Sequence, residues 1–253
     1  MSRGAEVRII GLAGVPDVAA GDDLAALILT AAADQDVAPS DGDVLVVAQK
    51  IVSKAEGRLV DLGTVVPSDF AVRLAKRSHK DPRQVEVVLR ESRRIVRMDR
   101  NVLIAETRHG FICANAGVDE SNVAGGGVVS LLPLDPDRSA AQLRAEIGRR
   151  TGATVAVIVS DTFGRPWRDA LVNVAIGVAG LAPIVDYRGR EDATGYRLKA
   201  TAMAVADELA SAAELVMGKM SRIPAALIRG YAYDQADGSA RQLVRPRVKD
   251  LFR

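Results

Sequence analysis

Two histidines, one cysteine and 4% aromatic residues are all that this 253-residue chain offers to soft-metal binding, disulfide formation or base stacking. The lone Cys113 has no partner for an internal disulfide, and with His79 and His109 it falls short of the four ligands of a structural zinc site. Neither charge is in excess. The 34 Lys and Arg oppose 32 Asp and Glu, a formal net charge of +2, which together with so few stacking platforms speaks against a nucleic-acid partner. No apolar run approaches the roughly 18 residues that span a bilayer, and the N-terminus lacks a basic segment followed by an apolar one. A cytoplasmic protein without a membrane partner is therefore expected. Also absent are Gly-x4-Gly-Lys-Ser/Thr, a Gly-x-Gly-x-x-Gly after a strand, and Gly-x-Ser-x-Gly, which removes a P-loop, a Rossmann dinucleotide site and a nucleophile elbow. Any metal would have to be held mostly by oxygen.

What is present is a chain 48% hydrophobic and long enough to bury a sizeable core without staples. Short apolar runs predict strands at residues 7–10, 44–48, 102–106, 110–114, 154–159 and 225–228. Helices are expected at residues 23–34, from Ser139 to about Arg150 on capping-box spacing, and over the Val205, Leu209, Ala212, Ala213, Val216 stripe, which Gly218 is placed to stop. Residues 73–100 read as helix-like and strongly basic, either a solvated face or an anion-binding surface. No repeat, linker or low-complexity segment interrupts the chain. One compact α+β unit over residues 1–253 is expected, with mixed sheets and flanking helices.

The strongest local chemical signal is Asp161-Thr162, placed where a buried strand should end. A carboxylate and a hydroxyl on a sheet-fixed backbone suit a hard cation, although such pairs also make ordinary turn hydrogen bonds. Asp119, in a Gly-flanked polar turn with Ser121 and Asn122, offers a second carboxylate, and two carboxylates plus phosphate oxygens suit magnesium or manganese. Lys50 and Lys54 follow the first apolar strand, and Arg165 and Arg168 follow the second, as phosphate or carboxylate partners. Trp167 reads either as a substrate edge or as core packing. Cys113, at the end of an apolar segment, reads as buried packing rather than a nucleophile.

Four segments carry a resemblance. Val46-Val-Ala-Gln-Lys-Ile-Val-Ser-Lys-Ala-Glu-Gly-Arg58, Ala116-Gly-Val-Asp-Glu-Ser-Asn122, Ser160-Asp-Thr-Phe-Gly-Arg-Pro-Trp-Arg168 and Val205-Ala-Asp-Glu-Leu-Ala-Ser-Ala-Ala-Glu-Leu-Val-Met-Gly218 resemble, in the same order, the coenzyme F420-0:L-glutamate ligases. The resemblance implies that family's α+β fold, a homodimer, and GTP-dependent amide formation between F420-0 and L-glutamate through an acyl phosphate. It also implies two divalent ions, Mn2+ or Mg2+, with K+ as a further cation. Asp119 and Asp161 would hold one divalent ion and Thr162 the other, with Lys54, Asp119 and Asp161 as the catalytic groups. Val15, Pro16, Asp17, Val18, Gln49, Lys54, Asn122, Met217, Gly218, Lys219, Met220 and Ser221 would contact the nucleotide. Archaeal members carry Gln where Lys219 aligns, and a protonated Lys cannot ligate a cation. Actinobacterial members often continue into a flavin-binding domain, so a chain ending at Arg253 resembles the free-standing form. Two other readings of the same residues are a nucleotide-dependent phosphotransferase and a noncatalytic F420- or nucleotide-binding protein.

Overall fold

The computed structural model describes residues 6–99, 101–120 and 127–250. Its organising element is a five-stranded sheet in the order β1 (Arg8–Gly11), β12 (Ala225–Arg229), β2 (Val44–Ala48), β8 (Ala156–Arg165), β9 (Arg168–Ala179). β2 and β8 are parallel, and every other neighbouring pair in this sheet is antiparallel. Val44 to Val47 and Ala156 to Val159 are all buried. Both faces of these central strands are covered, which is why they read as unbroken apolar runs rather than as alternating ones.

Helix α5 (Pro136–Thr151) packs against β8 and β9 with α1 (Leu24–Ala33) beside it, and α6 (Val205–Met217) crosses the sheet from β9 to β1. Asp23 caps α1 by accepting from Ala26 N, and Gly218 ends α6 as expected. The start of α5 differs from the expected one. Asp135 accepts from Arg138 N and Pro136 opens the helix, so the Asp-Pro pair sets the boundary ahead of Ser139. Ser139 lies inside the first turn, where its hydroxyl donates to the Asp135 carbonyl at 3.1 Å.

Between α2 (Gln49–Ala55) and α5 the chain builds a second layer. β3 (Leu59–Asp61) pairs with β7 (Val128–Ser130), α3 (Asp69–Ser78) and α4 (Pro82–Glu91) follow β3, and β4 (Ser92–Asp99), β5 (Val102–Thr107) and β6 (Ile112–Ala114) form a meander. This layer has its own apolar core, including Leu62, Leu74, Val85, Val88, Leu103 and Val129. The basic stretch is thus two helices and a strand. His79 ends α3 in the left-handed region at φ +50°, Asp81-Pro82 restarts the helix, and Ser92 onward pairs with β5. Several of its arginines hold local carboxylates, Arg83 on Asp81, Arg90 on Glu86 and Arg94 on Glu106, as on a solvated surface. A last ribbon joins β10 (Val185–Asp186) to β11 (Ala202–Met203).

The polar run after Val159 is not an exit turn. β8 continues through it to Arg165 and returns as β9, with Thr162 opposite Asn173 and Asp161 opposite Val174. Two register shifts interrupt this hairpin, one at its tip between Gly164 and Arg165 and one in its middle, where Val159 faces Gly177 but Ser160 faces Ala175, which leaves Ile176 without a partner.

Candidate active site

Although β8 runs on, its neighbour stops. Ala48, the last residue of β2, lies opposite Ser160, and the chain then enters α2. From Asp161 onward β8 has lost that strand partner, so its β2-side edge is free of sheet pairing. The same end of the sheet gathers most of the segments expected to bind nucleotide. Ala48 N donates to the Pro224 carbonyl at 2.8 Å and Leu12 N to the Ala225 carbonyl at 2.8 Å. The Val15–Val18 loop leaving β1 and the stretch from Met217 to Ser221 leaving α6 therefore start beside β2's end. Within these segments Val18 and Met217 are buried in the core, whereas Pro16, Asp17, Gly218, Lys219, Met220 and Ser221 are exposed.

Helix α2 sorts its polar residues by helical spacing. Gln49 and Ser53 face inward, where Gln49 Nε2 donates to Ser53 Oγ at 2.8 Å and to the Leu131 carbonyl at 3.2 Å, and Ser53 Oγ donates to that carbonyl at 2.6 Å. The amide nitrogen of Gln49 thus ties α2 to the second layer. Lys50 and Lys54, also four apart, share another face. Lys50 Nζ lies 3.0 Å from Asp119 Oδ2. Asp119 is itself pinned by its backbone: its N donates to the Ser130 carbonyl at 3.1 Å and its carbonyl accepts from Ser130 N at 2.8 Å.

Asp161 completes the acidic pair. Burial pushes its carboxyl up to about 6, the charge of Asp119 adds to the rise, and the Thr162 amide, Lys219 and Lys50 oppose it. Cys113 sits close enough to feel the same carboxylate, and burial first and Asp161 second push its thiol up to about 12. That is the inert, packed cysteine expected from the sequence. On β8 the next residue, Thr162, points to the opposite face. Its Oγ1 lies 2.8 Å from Asn173 Oδ1 and 2.6 Å from Lys219 Nζ, and Asn173 Nδ2 donates to Glu214 Oε2 at 3.0 Å.

Asp119 and Asp161, brought together from different layers, thus form a pair of carboxylates faced by two ammonium groups. Among the described residues no group of three or more His, Cys, Asp or Glu could hold a metal. The two carboxylates by themselves are hard oxygen donors, of the kind that Mg2+ or Mn2+ takes together with oxygen from phosphate or water, and they lack the nitrogen and sulfur ligands of a zinc site. Thr162, already engaged by Lys219, fits a second ion less well. Asn122 lies outside the described residues. Arg165 and Arg168 pair with each other at the hairpin tip, roughly 13 Å along the strand from Asp161. Trp167 between them is 86% exposed, so the core-packing reading does not hold. Asn173 and Glu214 escaped the sequence reading. Their signals were a lone Asn in the apolar run Leu171-Val-Asn-Val-Ala-Ile176 and an acid next to Ala213 on the packed stripe of α6.

Comparison with known proteins places this α+β chain among the ligases. Residues 14–230 match the family described as F420-0:Gamma-glutamyl ligase, and the chain belongs to that family. It is 48% identical over 250 residues to the coenzyme F420:L-glutamate ligase of Methanothermobacter thermautotrophicus, covering 98% of this chain and 99% of the relative. It is similar to proteins of the same name in Methanocaldococcus jannaschii, 46% identical over 84% of this chain and 85% of the relative, and in Methanopyrus kandleri, 48% identical over 92% of each. Among the described residues no helix is long and apolar enough to cross a membrane.

Proposed function

We propose that this chain joins L-glutamate to coenzyme F420-0, using GTP to activate the carboxylate as an acyl phosphate. The observation that carries the reading is the convergence of Asp119 and Asp161 with Lys50 and Lys219 at the open edge of β8, in a chain of this ligase family. Amide formation from a free carboxylate is uphill in water, so the acid needs a leaving group. A terminal carboxylate oxygen of F420-0 attacks the γ-phosphorus of GTP, the bond to the β,γ-bridging oxygen breaks, and GDP leaves. The α-amine of L-glutamate then attacks the acyl carbon, phosphate leaves, and the amine gives up a proton.

Phosphoryl transfer asks a protein mainly for positioning and for positive charge around the equatorial oxygens. Here Lys50 and Lys54 on one face of α2 and Lys219 after α6 supply that charge, and buried strands hold the frame. A divalent cation on Asp119 and Asp161, manganese or magnesium, supplies further charge neutralisation to the triphosphate. No histidine or cysteine is required, in keeping with a chain that has so few. A homodimer belongs to the same reading and is checked by sedimentation.

The test is incubation of the protein with F420-0, GTP, manganese and L-glutamate, following product mass and GDP. A mass gain of one glutamyl residue with GDP release is expected. GDP with a phosphorylated product and no glutamate would point to a phosphotransferase, and tight binding without turnover to a noncatalytic binder.

A further inference from the structure

We propose that Lys219 is a built-in cation of this site, standing at the Thr162 hydroxyl in place of a second divalent ion, so that the chain binds one divalent ion rather than two. The inference rests on the reading of Asp119 and Asp161 as metal ligands. The direction of each hydrogen bond follows from the outside in. Glu214 as a carboxylate only accepts, so the amide nitrogen of Asn173 faces it, at 3.0 Å. Asn173 Oδ1 therefore faces Thr162, and as a carbonyl oxygen it takes the hydroxyl proton, at 2.8 Å. Thr162 has one proton to give, so Oγ1 offers only lone pairs to any other partner. The chain fills that position itself, with Lys219 Nζ donating at 2.6 Å.

Little in this relay can reverse. Asn173 is 5% exposed, and its backbone carbonyl is held by Ser211 Oγ at 2.7 Å. Gly218 ends α6 at φ +54°, a conformation that favours glycine, and Lys219 follows directly, so the helix end fixes where the lysine starts. Asp161, the neighbour of Thr162 on β8, lies near Lys219, while Lys50 pairs with Asp119. Lys50 thus faces a carboxylate directly, and Lys219 stands near the pair from the side of Thr162. A second ion at Thr162 would have to displace an ammonium that has no lone pair to offer it, and strand alternation aims Thr162 away from the face of Asp161. A lysine there would neutralise phosphate oxygens at any metal concentration.

The test is the number of manganese ions bound per chain, measured by equilibrium dialysis with electron paramagnetic resonance of free Mn2+, with and without a non-hydrolysable GTP analogue. Wild type and Lys219→Arg should bind one ion, and Lys219→Gln should bind two. Half-maximal turnover of Lys219→Gln should need roughly ten-fold more manganese or higher, as for other disturbed metal surroundings. Two ions in wild type, or one in Lys219→Gln, overturn the role of Lys219 while leaving the carboxylate site standing, provided that Asp161→Asn loses an ion. No manganese bound to wild type, with Asp161→Asn unchanged, overturns the metal reading itself and this inference with it.

Discussion

Replacing Asp161 by Asn is expected to stabilise the metal-free protein at neutral pH while removing its turnover. The carboxyl is pushed up from 3.8 to about 6, chiefly by burial. A carboxyl raised on folding contributes stability that is fully present below its unfolded value of 3.8 and lost as pH rises through about 6. Asn has no such loss, so the variant should draw ahead of wild type across that window and hold its advantage above it. At about 1.36 kcal/mol per pH unit the shift from 3.8 to about 6 sets a ceiling of roughly 3 kcal/mol. Asp161 is half-buried by surface area, which lowers this to about 1–2 kcal/mol, or about 2–8 °C in melting temperature for a chain of this size. Thermal melts in a chelator, from acid to neutral pH, measure the gap, and GDP release with manganese measures turnover. Added manganese should raise the melting temperature of wild type and leave the variant where it was. A variant no more stable than wild type in chelator at neutral pH, or one that keeps its turnover, would refute the reasoning.

Three further outcomes are expected. A Cβ at Gly177 would overlap the Pro136 carbonyl, lifting the start of α5 from β9 and straining the bonds from Val178 N and Ala240 N to Asp137. Gly177→Ala should therefore cost about 3 kcal/mol or more, and an unchanged melting temperature would count against this packing. Asp43 is 1% exposed and takes two bonds from Arg229, at 2.9 and 2.7 Å, so Arg229→Met strands a buried carboxylate. A loss of about 3 kcal/mol in urea denaturation is expected, partly recovered by adding Asp43→Asn; no recovery would show that the stranded charge is not the cause. With its thiol pushed up from 9.0 to about 12, native Cys113 should alkylate about three orders of magnitude more slowly than in the unfolded chain. Equal labelling of native and urea-unfolded protein would contradict its burial.

The parts of the fold legible in the sequence are those whose local signals agree with their tertiary setting. Val44 to Ala48 is apolar throughout because the strand is covered on both faces, and α6 shows its stripe because one side packs on the sheet. Residues 160–165 were misread because a strand that outruns its neighbour gains solvent and polar side chains without ceasing to be a strand, and composition alone does not separate that from a turn. Ser139 was misread because two capping signals competed and the Asp-Pro pair came first. At the site, Asp119, Asp161, Thr162 and the lysines could be named from residue type and from family resemblance. The pairing of Lys50 with Asp119, and the chain of bonds from Glu214 to Lys219, could not. They join residues 11 to 69 positions apart, and the link from Thr162 to Asn173 depends on the register of β9 against β8.

That register carries one more consequence. With Ile176 left out of the ladder, Asn173 and Gly177 point to opposite sides of the sheet, although four residues apart in an unbroken strand they would share one. Asn173 is thereby turned to α6 and Gly177 to α5. What this stretch must transmit through descent is its length as much as its letters. Deleting Ile176 would close the bulge into a regular strand in which the two, three apart, still point to opposite sides, whereas inserting a residue between them while the bulge persists would set both on one side and turn one helix's partner away.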